Sequence, residues 1–197
     1  MIPSGKVTFL FTDIEGSTKL AQKNNEAYIS ALDKHHEILY DVIDSNNGFV
    51  FKIVGDSFCC AFGNTEDAVR AAVNCQLKLN STEWNDMTIK VRMGIHSGEA
   101  EFIDKDYSGY VTLSRSSRIM SIAHGGQILL TQEVYEIIKD NKDLKISFRD
   151  FGKRKLKDII LPEHVYQILS EDLPSEFPPL KSQDARQNNL PSSVSEF

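Results

Sequence analysis

The sequence predicts an α+β protein built on a ferredoxin-like β-α-β-β-α-β core with additional strands and helices. Two observations lead to this fold class. A strand-like apolar run, KVTFLF, precedes helical periodicity over residues 15–45, and two short apolar runs hinged on Gly55-Asp56 precede a second helical pattern. Strands and helices in this order are typical of one sheet covered by helices, and we expect the helices on one face.

The first strand is predicted over residues 6–13. It is apolar on both faces, which is typical of a strand in the middle of a sheet. Apolar residues then recur at helical spacing from residue 15 to residue 45, so we expect one long helix there. The sequence NNG at 46–48 marks its end.

A hairpin, a second helix and two more strands are predicted next. The turn residues Gly55-Asp56 between two apolar runs are a strong hairpin signal. A helix rich in alanine and leucine follows over about 65–79. Strands are expected at 88–96 and 99–103, with the turn Ser97-Gly98 between them.

The rest of the domain is predicted to hold two helices and three strands. The helices are expected at 111–123 and 132–140, with the short strand QILLT before the second one. Two further strands lie within 145–168. From residue 172 the composition changes, since four of the six prolines follow Leu173, and we therefore predict one domain over 1–171 and a proline-rich linker or disordered tail over 172–197.

Composition and charge narrow the class of protein. The net charge of −6 argues against a partner that is nucleic acid or an anionic membrane surface, because both attract basic proteins. No stretch is long and apolar enough for a membrane span, and the N-terminus lacks the apolar core of a signal peptide. The three cysteines show no metal-ligand spacing. We therefore expect a cytoplasmic protein.

Two acidic residues indicate a metal site. Asp13 ends the first predicted strand and Asp56 lies at the hairpin tip, so the carboxylates can converge at one sheet edge if the strands are neighbours. Converging carboxylates are costly unless a cation joins them, and hard oxygen ligands favour Mg²⁺ or Mn²⁺. The alternative is that each residue only suits its turn.

The residues directly after Asp13 indicate a phosphate site. Glu15, Gly16, Ser17 and Thr18 lie at the predicted N-terminus of the long helix, where free N–H groups and the helix dipole attract anions. Together with the metal site, this arrangement predicts binding of a polyphosphate. The alternative interpretation of Ser17 is an ordinary helix cap.

Several motifs resemble the class III nucleotidyl cyclases, the catalytic domains of adenylate and guanylate cyclases, in their bacterial form. The matching segments, in order, are VTFLFTDIEGST, FKIVGDSFCCAF, VRMGIHSGEAE, HGGQILLT and LKDIILPEHVYQIL. The resemblance extends from about Lys6 to Leu169. The tail FPPLKSQDARQNNLP further resembles the link that joins some bacterial members to a signalling ATPase, which implies a longer parent protein.

The resemblance implies a fold, a reaction and a set of metal ligands. Two such domains pair head to tail, and each of the two active sites lies between them. By position, Asp13 and Asp56 would hold two Mg²⁺ or Mn²⁺ ions, with the Ile14 carbonyl as a further ligand. The ribose 3′-hydroxyl of ATP would attack the α-phosphorus, giving 3′,5′-cyclic AMP and pyrophosphate.

The resemblance also assigns residues that read the base. Lys52 matches the base-reading lysine, and Asp106 matches a second position where an acid accepts from the adenine amino group. This pair favours ATP over GTP, because guanine presents the reverse hydrogen-bonding pattern. The alternative is that both are solvated surface charges.

The helix that stabilises the transition state departs from the family pattern. Arg118 lies at the position of the family's arginine. Arg115 is an alternative for this role, but we expect it to face solvent. The asparagine position is Ser114, whose shorter hydroxyl predicts a slower enzyme.

A lysine that binds the triphosphate is expected late in the domain. Lys157 is the candidate, although the alignment places Ile159 at the usual position. Arg154 and Lys155 remain alternatives.

The sequence therefore predicts an adenylate cyclase domain that acts as a homodimer. Two other hypotheses stay open. One is a weakly active or inactive cyclase-like module that senses nucleotide or relays a signal, and the other is a cyclase for another nucleotide base.

Overall fold

The computed structural model describes residues 2–85 and 87–182, which form one seven-stranded sheet, a two-stranded ribbon and five α-helices. The strands are β1 Gly5–Ile14, β2 Phe49–Val54, β3 Ser57–Phe62, β4 Val91–Ala100, β5 Phe102–Ile103, β6 Asp106–Tyr107, β7 Ile128–Thr131, β8 Ser147–Arg154 and β9 Glu163–Leu169. The helices are α1 Ser17–Lys23, α2 Asn25–Ser45, α3 Thr65–Ser81, α4 Tyr110–Ile122 and α5 Gln132–Ile138. The order in the sheet is β2-β3-β1-β4-β7-β9-β8, and β5 pairs with β6 separately.

Strand β1 lies in the middle of the sheet, as its apolar faces predicted. It pairs antiparallel with β3 on one side and with β4 on the other. Phe9 and Phe11 point to one face of the sheet and belong to the same buried cluster. Leu10 points to the other face and belongs to a second cluster. The α+β fold class and its ferredoxin-like core are therefore confirmed.

The helices cover both faces of the sheet, so the expectation of helices on one face was wrong. Residues of α2, α3 and α5 pack with Leu10, whereas Leu113 and Met120 of α4 pack on the face of Phe9. The physical reason is the connection between β4 and β7. These neighbouring strands are parallel, so the chain must cross over between them, and α4 crosses on the second face.

The predicted long helix is two helices. Asn24 takes an extended conformation at φ −156° and its side chain accepts a hydrogen bond from the Ala27 N–H at 3.1 Å. An asparagine in this position caps the start of a new helix. The chain therefore breaks between α1 and α2 although the apolar periodicity continues.

The turn predicted at Ser97-Gly98 is also absent, because β4 runs through it. Ser97 and Gly98 lie opposite Thr8 and Val7 of β1, which supplies a partner along the whole length of β4. The hairpin at Gly55-Asp56 is confirmed between β2 and β3. The remaining helices and strands lie within a few residues of their predicted positions.

The packed structure extends past the predicted domain boundary at residue 172. Leu173 and Leu180 are buried, and the structure describes the chain as far as Ser182. Residues 183–197 of the predicted tail lie outside the described residues. Among the described residues, no helix has both the length and the apolar character required to cross a membrane.

Candidate functional site

Asp13 lies near the end of β1 and both of its carboxylate oxygens have partners. Oδ1 accepts a hydrogen bond from the Ser57 hydroxyl at 2.7 Å. Oδ2 accepts from Nε and Nη2 of Arg92 at 2.9 and 2.5 Å. Arg92 lies directly opposite Asp13 in the pairing of β1 with β4. The strand register therefore places a guanidinium on this acid.

Asp56 lies at the hairpin tip and reaches the same strand. Its Oδ2 accepts a hydrogen bond from the Ile14 N–H at 2.8 Å. Burial raises the pKa of the Asp56 carboxyl, and the nearby charge of Asp13 raises it further. The structure thus brings together the two acids that the sequence selected. Their role as metal ligands stays a prediction.

The donors at this point fit a hard divalent cation. Two carboxylates and the predicted Ile14 carbonyl are all oxygen donors, which Mg²⁺ and Mn²⁺ prefer. Burial, and to a lesser degree the nearby charge of Asp13, raises the pKa of Asp56, and a divalent ion beside both acids would offset these effects. Within residues 2–85 and 87–182 no group of three or more His, Cys, Asp or Glu side chains could hold a metal.

The turn after Ile14 differs from the predicted helix N-terminus. Gly16 takes a left-handed conformation at φ 74°, and α1 has only seven residues, so its dipole is shorter than that of the long helix we expected. The Glu15 N–H donates to the Lys90 carbonyl at 2.9 Å. The Ser17 hydroxyl lies close to the Asp56 carboxylate and lowers the pKa of that group against the larger effect of burial, and Thr18 is exposed. Ser17 therefore lies beside the carboxylate of Asp56 in this structure.

The Glu15 carboxylate faces the loop after α4. It accepts a hydrogen bond from the Gly125 N–H at 3.0 Å and forms an ion pair with Lys181. Nδ1 of His124 lies 3.7 Å from Oε1 of Glu15. Both the N–H and the carboxylate of Glu15 are thus engaged within the chain, which does not support its predicted contact with substrate.

Lys52 and Asp106 are in direct contact. Nζ of Lys52 lies 2.6 Å from Oδ2 of Asp106, and both side chains are about half exposed, at 51% and 49%. The hydrogen bond raises the pKa of Lys52 and lowers that of Asp106. Phe51 and Tyr107 are the sequence neighbours of these residues. Their rings pack edge to face with centroids 4.8 Å apart and hold β2 against β6. Base reading by the pair stays a prediction.

Ser114 and Arg118 share one face of α4, as their spacing predicted. They line a groove of about 460 Å³ together with the segment from Asp158 to Leu161. Nη2 of Arg118 lies 2.7 Å from Oδ2 of Asp158. The groove also has exposed apolar walls, of which Tyr110 is 85% and Ile160 is 95% exposed.

Arg115 does not face solvent as predicted. Its Nε lies 2.9 Å from Oε1 of Glu163, a buried residue of β9, and Nη1 lies 3.9 Å from Glu133. A buried carboxylate is costly unless it is paired, so this contact holds α4 to the sheet. Lys157 lies in the exposed turn next to Asp158, whereas Ile159 lines the groove. Arg154 belongs to β8, and the identity of the triphosphate-binding lysine stays a prediction.

Sequence reasoning missed two cations that contact the site residues. Arg92 was present in the motif VRMGIHSGEAE, but the sequence did not indicate that its strand pairs with β1, so only its positive charge could have been a signal. Lys181 lay in the segment predicted as a linker, 166 residues from Glu15, and no local pattern indicated it.

Comparison with known proteins bears directly on these features. A model of the adenylate and guanylate cyclase catalytic domain matches residues 1–170, which include every predicted site residue. The chain belongs to this family. The cyclase domain is thus the part of the chain that carries Asp13, Asp56, Lys52, Asp106 and Arg118.

Relatives and solved structures agree with this assignment. The chain is 32% identical to an uncharacterized protein of Mycobacterium tuberculosis in an alignment of 182 residues, which covers 91% of this chain and 61% of that protein. It is 26% identical to a receptor-type adenylate cyclase of Trypanosoma brucei brucei, with coverage of 84% and 17%. A solved adenylate cyclase structure from Trypanosoma brucei, described in its monomeric state, superposes with a TM-score of 0.83 at 25% identity and covers 91% of this chain and 95% of that chain. The chain therefore spans about three fifths of the mycobacterial relative.

Proposed function

We propose that the cyclase domain converts ATP into 3′,5′-cyclic AMP and pyrophosphate, with two active sites shared across a head-to-tail homodimer. The observation that carries the proposal is the convergence of Asp13 and Asp56 on the end of β1. Two carboxylates at this point suit the divalent ions that phosphoryl transfer from a nucleoside triphosphate requires.

In this proposal the protein binds, orients and neutralises charge. Asp13, Asp56 and the Ile14 carbonyl would hold two Mg²⁺ or Mn²⁺ ions, which when bound make the ribose 3′-hydroxyl more acidic and neutralise the triphosphate. The 3′-oxygen forms a bond to the α-phosphorus, the bond to the pyrophosphate oxygen breaks, and the hydroxyl proton passes to water. Gly16 and Thr18 are exposed beside the acids, where the triphosphate would lie.

Adenine selection would fall to Lys52 and Asp106. In the absence of a base these residues satisfy each other at 2.6 Å. An adenine ring would exchange that contact for a hydrogen bond from Lys52 to a ring nitrogen and one from its amino group to Asp106. The contact supports the proposal because it places one donor and one acceptor within reach of the same base.

Ser114 and Arg118 would act on the partner's substrate across the dimer. The groove that they line is open and its apolar walls are exposed, as is typical of a surface that another chain covers. Arg118 would leave Asp158 and turn toward the triphosphate, while Ser114 would reach the ribose directly or through water.

The same helix favours a second candidate function, a module that binds nucleotide without turning it over. Ser114 stands where an amide is expected, and Arg118 is paired within its own chain. A third candidate is a cyclase for another base, since one lysine and one acid do not define a purine uniquely.

The experiment is incubation of the dimeric protein with each ribonucleoside triphosphate and Mn²⁺, with detection of pyrophosphate and the cyclic product. We expect ATP to give both products fastest. No turnover of any nucleotide, together with a higher melting temperature in ATP, would contradict the catalytic proposal and favour the sensor. Faster turnover of a pyrimidine nucleotide would favour the third candidate.

We also propose that the domain is a cytoplasmic part of a longer signalling protein. The chain covers only 61% of its mycobacterial relative, and its last residues resemble a link to a signalling ATPase. Recovery of the same sequence at the start of a longer open reading frame would test this.

A further inference from the structure

The segment that follows the family match packs against two parts of the proposed active site. Residues 173–182, here called the C-terminal strap, begin three residues after the match ends at residue 170. Leu180 is buried in a cluster with Ile119 and Ile122 of α4. The Pro179 carbonyl lies 3.0 Å from Nε2 of His124 in the loop after α4. The strap is therefore packed structure beyond the family domain.

Lys181 connects the strap to the end of α4 and to the turn that carries Glu15. Its backbone N–H donates to the Ile122 carbonyl at 3.0 Å, and its Nζ donates to the Ala123 carbonyl at 3.1 Å. The same Nζ forms an ion pair with the Glu15 carboxylate. One side chain thus joins the end of α4 to the turn that follows Asp13 and Ile14.

The location of Glu15 makes this contact relevant to the acids. Glu15 directly follows Ile14, whose N–H holds the Asp56 carboxylate. Its carboxylate is fixed by Lys181 on one side and by the Gly125 N–H on the other. The contacts of the Glu15 carboxylate therefore act on the residue next to the point where Asp13 and Asp56 meet.

The strap is fastened at a few points. A cavity of about 340 Å³ lies between it and the domain, lined by Glu15, Gly125 and Phe177 among others. Leu180 and Lys181 fasten the end of the strap, while Arg149 pairs with Glu176 nearer its start. Because this cavity separates part of the strap from the domain, continuous packing does not compensate for the loss of one of these contacts.

We propose that Lys181 is a positioning residue for the metal-binding turn, and that the C-terminal strap acts on this turn through the Lys181 side chain. The part that concerns metal affinity rests on the proposed function. The part that concerns the position of the turn rests only on the contacts of Lys181, Glu15 and Gly125.

The test compares the full chain with Lys181→Gln, Lys181→Arg and the control Arg149→Gln. Arg149→Gln removes the other ion pair of the strap, which touches neither Glu15 nor α4. Mn²⁺ affinity is measured by electron paramagnetic resonance without nucleotide. Amide hydrogen exchange is followed at Gly125 and Ile14.

For Lys181→Gln we expect Mn²⁺ to bind about twofold to fivefold more weakly, the range for one partly exposed ion pair, because displacement of the turn outweighs the gain from removing a nearby positive charge. Exchange at Gly125 should become faster by a similar factor. Lys181→Arg should restore both values, and Arg149→Gln should leave both unchanged.

Two results separate this proposal from the proposed function. If the wild-type chain binds no Mn²⁺, the metal site is wrong, and exchange at Gly125 and Ile14 alone decides the positioning role. Unchanged exchange in Lys181→Gln overturns that role, whatever the metal affinity. Equal effects of Lys181→Gln and Arg149→Gln overturn it as well, because the strap would then only stabilise the fold.

Discussion

At the scale of single residues, the candidate site is a set of charges that partly neutralise one another. Arg92 lies on Asp13, Lys52 on Asp106 and Arg118 on Asp158. If a metal ion or a nucleotide binds, each of these cations would have to share its acidic partner with the ligand or exchange that partner for the ligand. The Arg92–Asp13 pair is mostly buried, with 23% and 17% of its side chains exposed, whereas the two more exposed pairs contribute little to stability.

The first residue-scale prediction concerns the missing amide. Ser114→Asn should raise turnover of ATP on the order of tenfold, because a side-chain amide reaches farther than a hydroxyl toward the ribose. The measurement is pyrophosphate release at saturating ATP and Mn²⁺.

The matched control is Ser117→Asn, which makes the same change on α4 outside the groove. It should leave turnover unchanged. An equal rate in Ser114→Asn and the wild type would show that residue 114 does not meet the transition state.

The second residue-scale prediction concerns His35, which is fully buried with no hydrogen-bond partner for either ring nitrogen. Burial, together with the charge of His36, lowers the pKa of His35 from 6.5 to about 4. Between these two values the unfolded chain binds a proton that the folded chain does not. The free energy of unfolding should therefore fall as the pH drops from about 6.5 to about 4, on the order of 3 kcal/mol from this residue.

Urea unfolding of the wild type and of His35→Leu, measured between pH 4 and pH 7, checks this prediction. The variant should show a flatter pH dependence in that window. His96, whose pKa is also lowered to about 4 by burial, contributes in both proteins and does not affect the comparison. Parallel curves would contradict the prediction.

At the scale of helices and strands, the position of α4 depends on close packing against β4. A Cβ atom added to Gly94 would lie 2.4 Å from the Met120 backbone nitrogen, nearer than atoms can approach. Glycine at this point lets the helix that carries Ser114 and Arg118 lie directly on the strand. The groove therefore depends on a residue that does not line it.

We predict that Gly94→Ala lowers both stability and turnover. The added methyl group must push α4 away from the sheet, which costs about 1–3 kcal/mol of unfolding free energy. Urea unfolding and pyrophosphate release at saturating ATP measure the two effects.

Gly63→Ala is the matched control, because a Cβ atom there meets no other atom within 4 Å. It should change neither quantity by much. Normal turnover in Gly94→Ala would mean that the exact position of α4 is not limiting.

At the scale of the whole molecule, the described chain leaves part of its apolar surface open. Tyr110 and Val111 at the start of α4, with Ile160 and Leu161 in the loop before β9, remain exposed around the groove. Within one chain, the described residues do not cover them. A head-to-tail partner would bury this surface and complete each site with residues from both chains.

The prediction at this scale uses two inactive variants. Asp56→Ala removes a metal ligand from one side of the interface, and Arg118→Ala removes a transition-state contact from the other side. In an equal mixture, half of the dimers are mixed and each has one intact site, so activity should recover to about a quarter of the wild type.

Pyrophosphate release before and after mixing, with dimers exchanged by dilution and reconcentration, is the measurement. Each variant mixed with itself is the control. If the mixture stays as inactive as its components, the two residues serve the same site and the shared-site arrangement is wrong.

The sequence by itself determined the fold class, the central strand, the hairpin and the two acids. Each is local information: apolar periodicity defines a strand or helix, and a turn residue between apolar runs defines a hairpin tip. Five motifs in order, from VTFLFTDIEGST to LKDIILPEHVYQIL, also predicted the family. Asn24 was a local signal too, but the continuing apolar pattern concealed it.

Only the tertiary structure decided which charges meet. Arg92 reaches Asp13 because of one strand register, Arg115 reaches buried Glu163 because α4 crosses the second face, and Lys181 reaches Glu15 because the C-terminal strap folds back. These contacts join residues far apart in the chain, and they depend on the pairing and packing of whole elements. Local patterns do not encode such distances, which is why Asp13 and Glu15 were predicted and their cationic partners Arg92 and Lys181 were not.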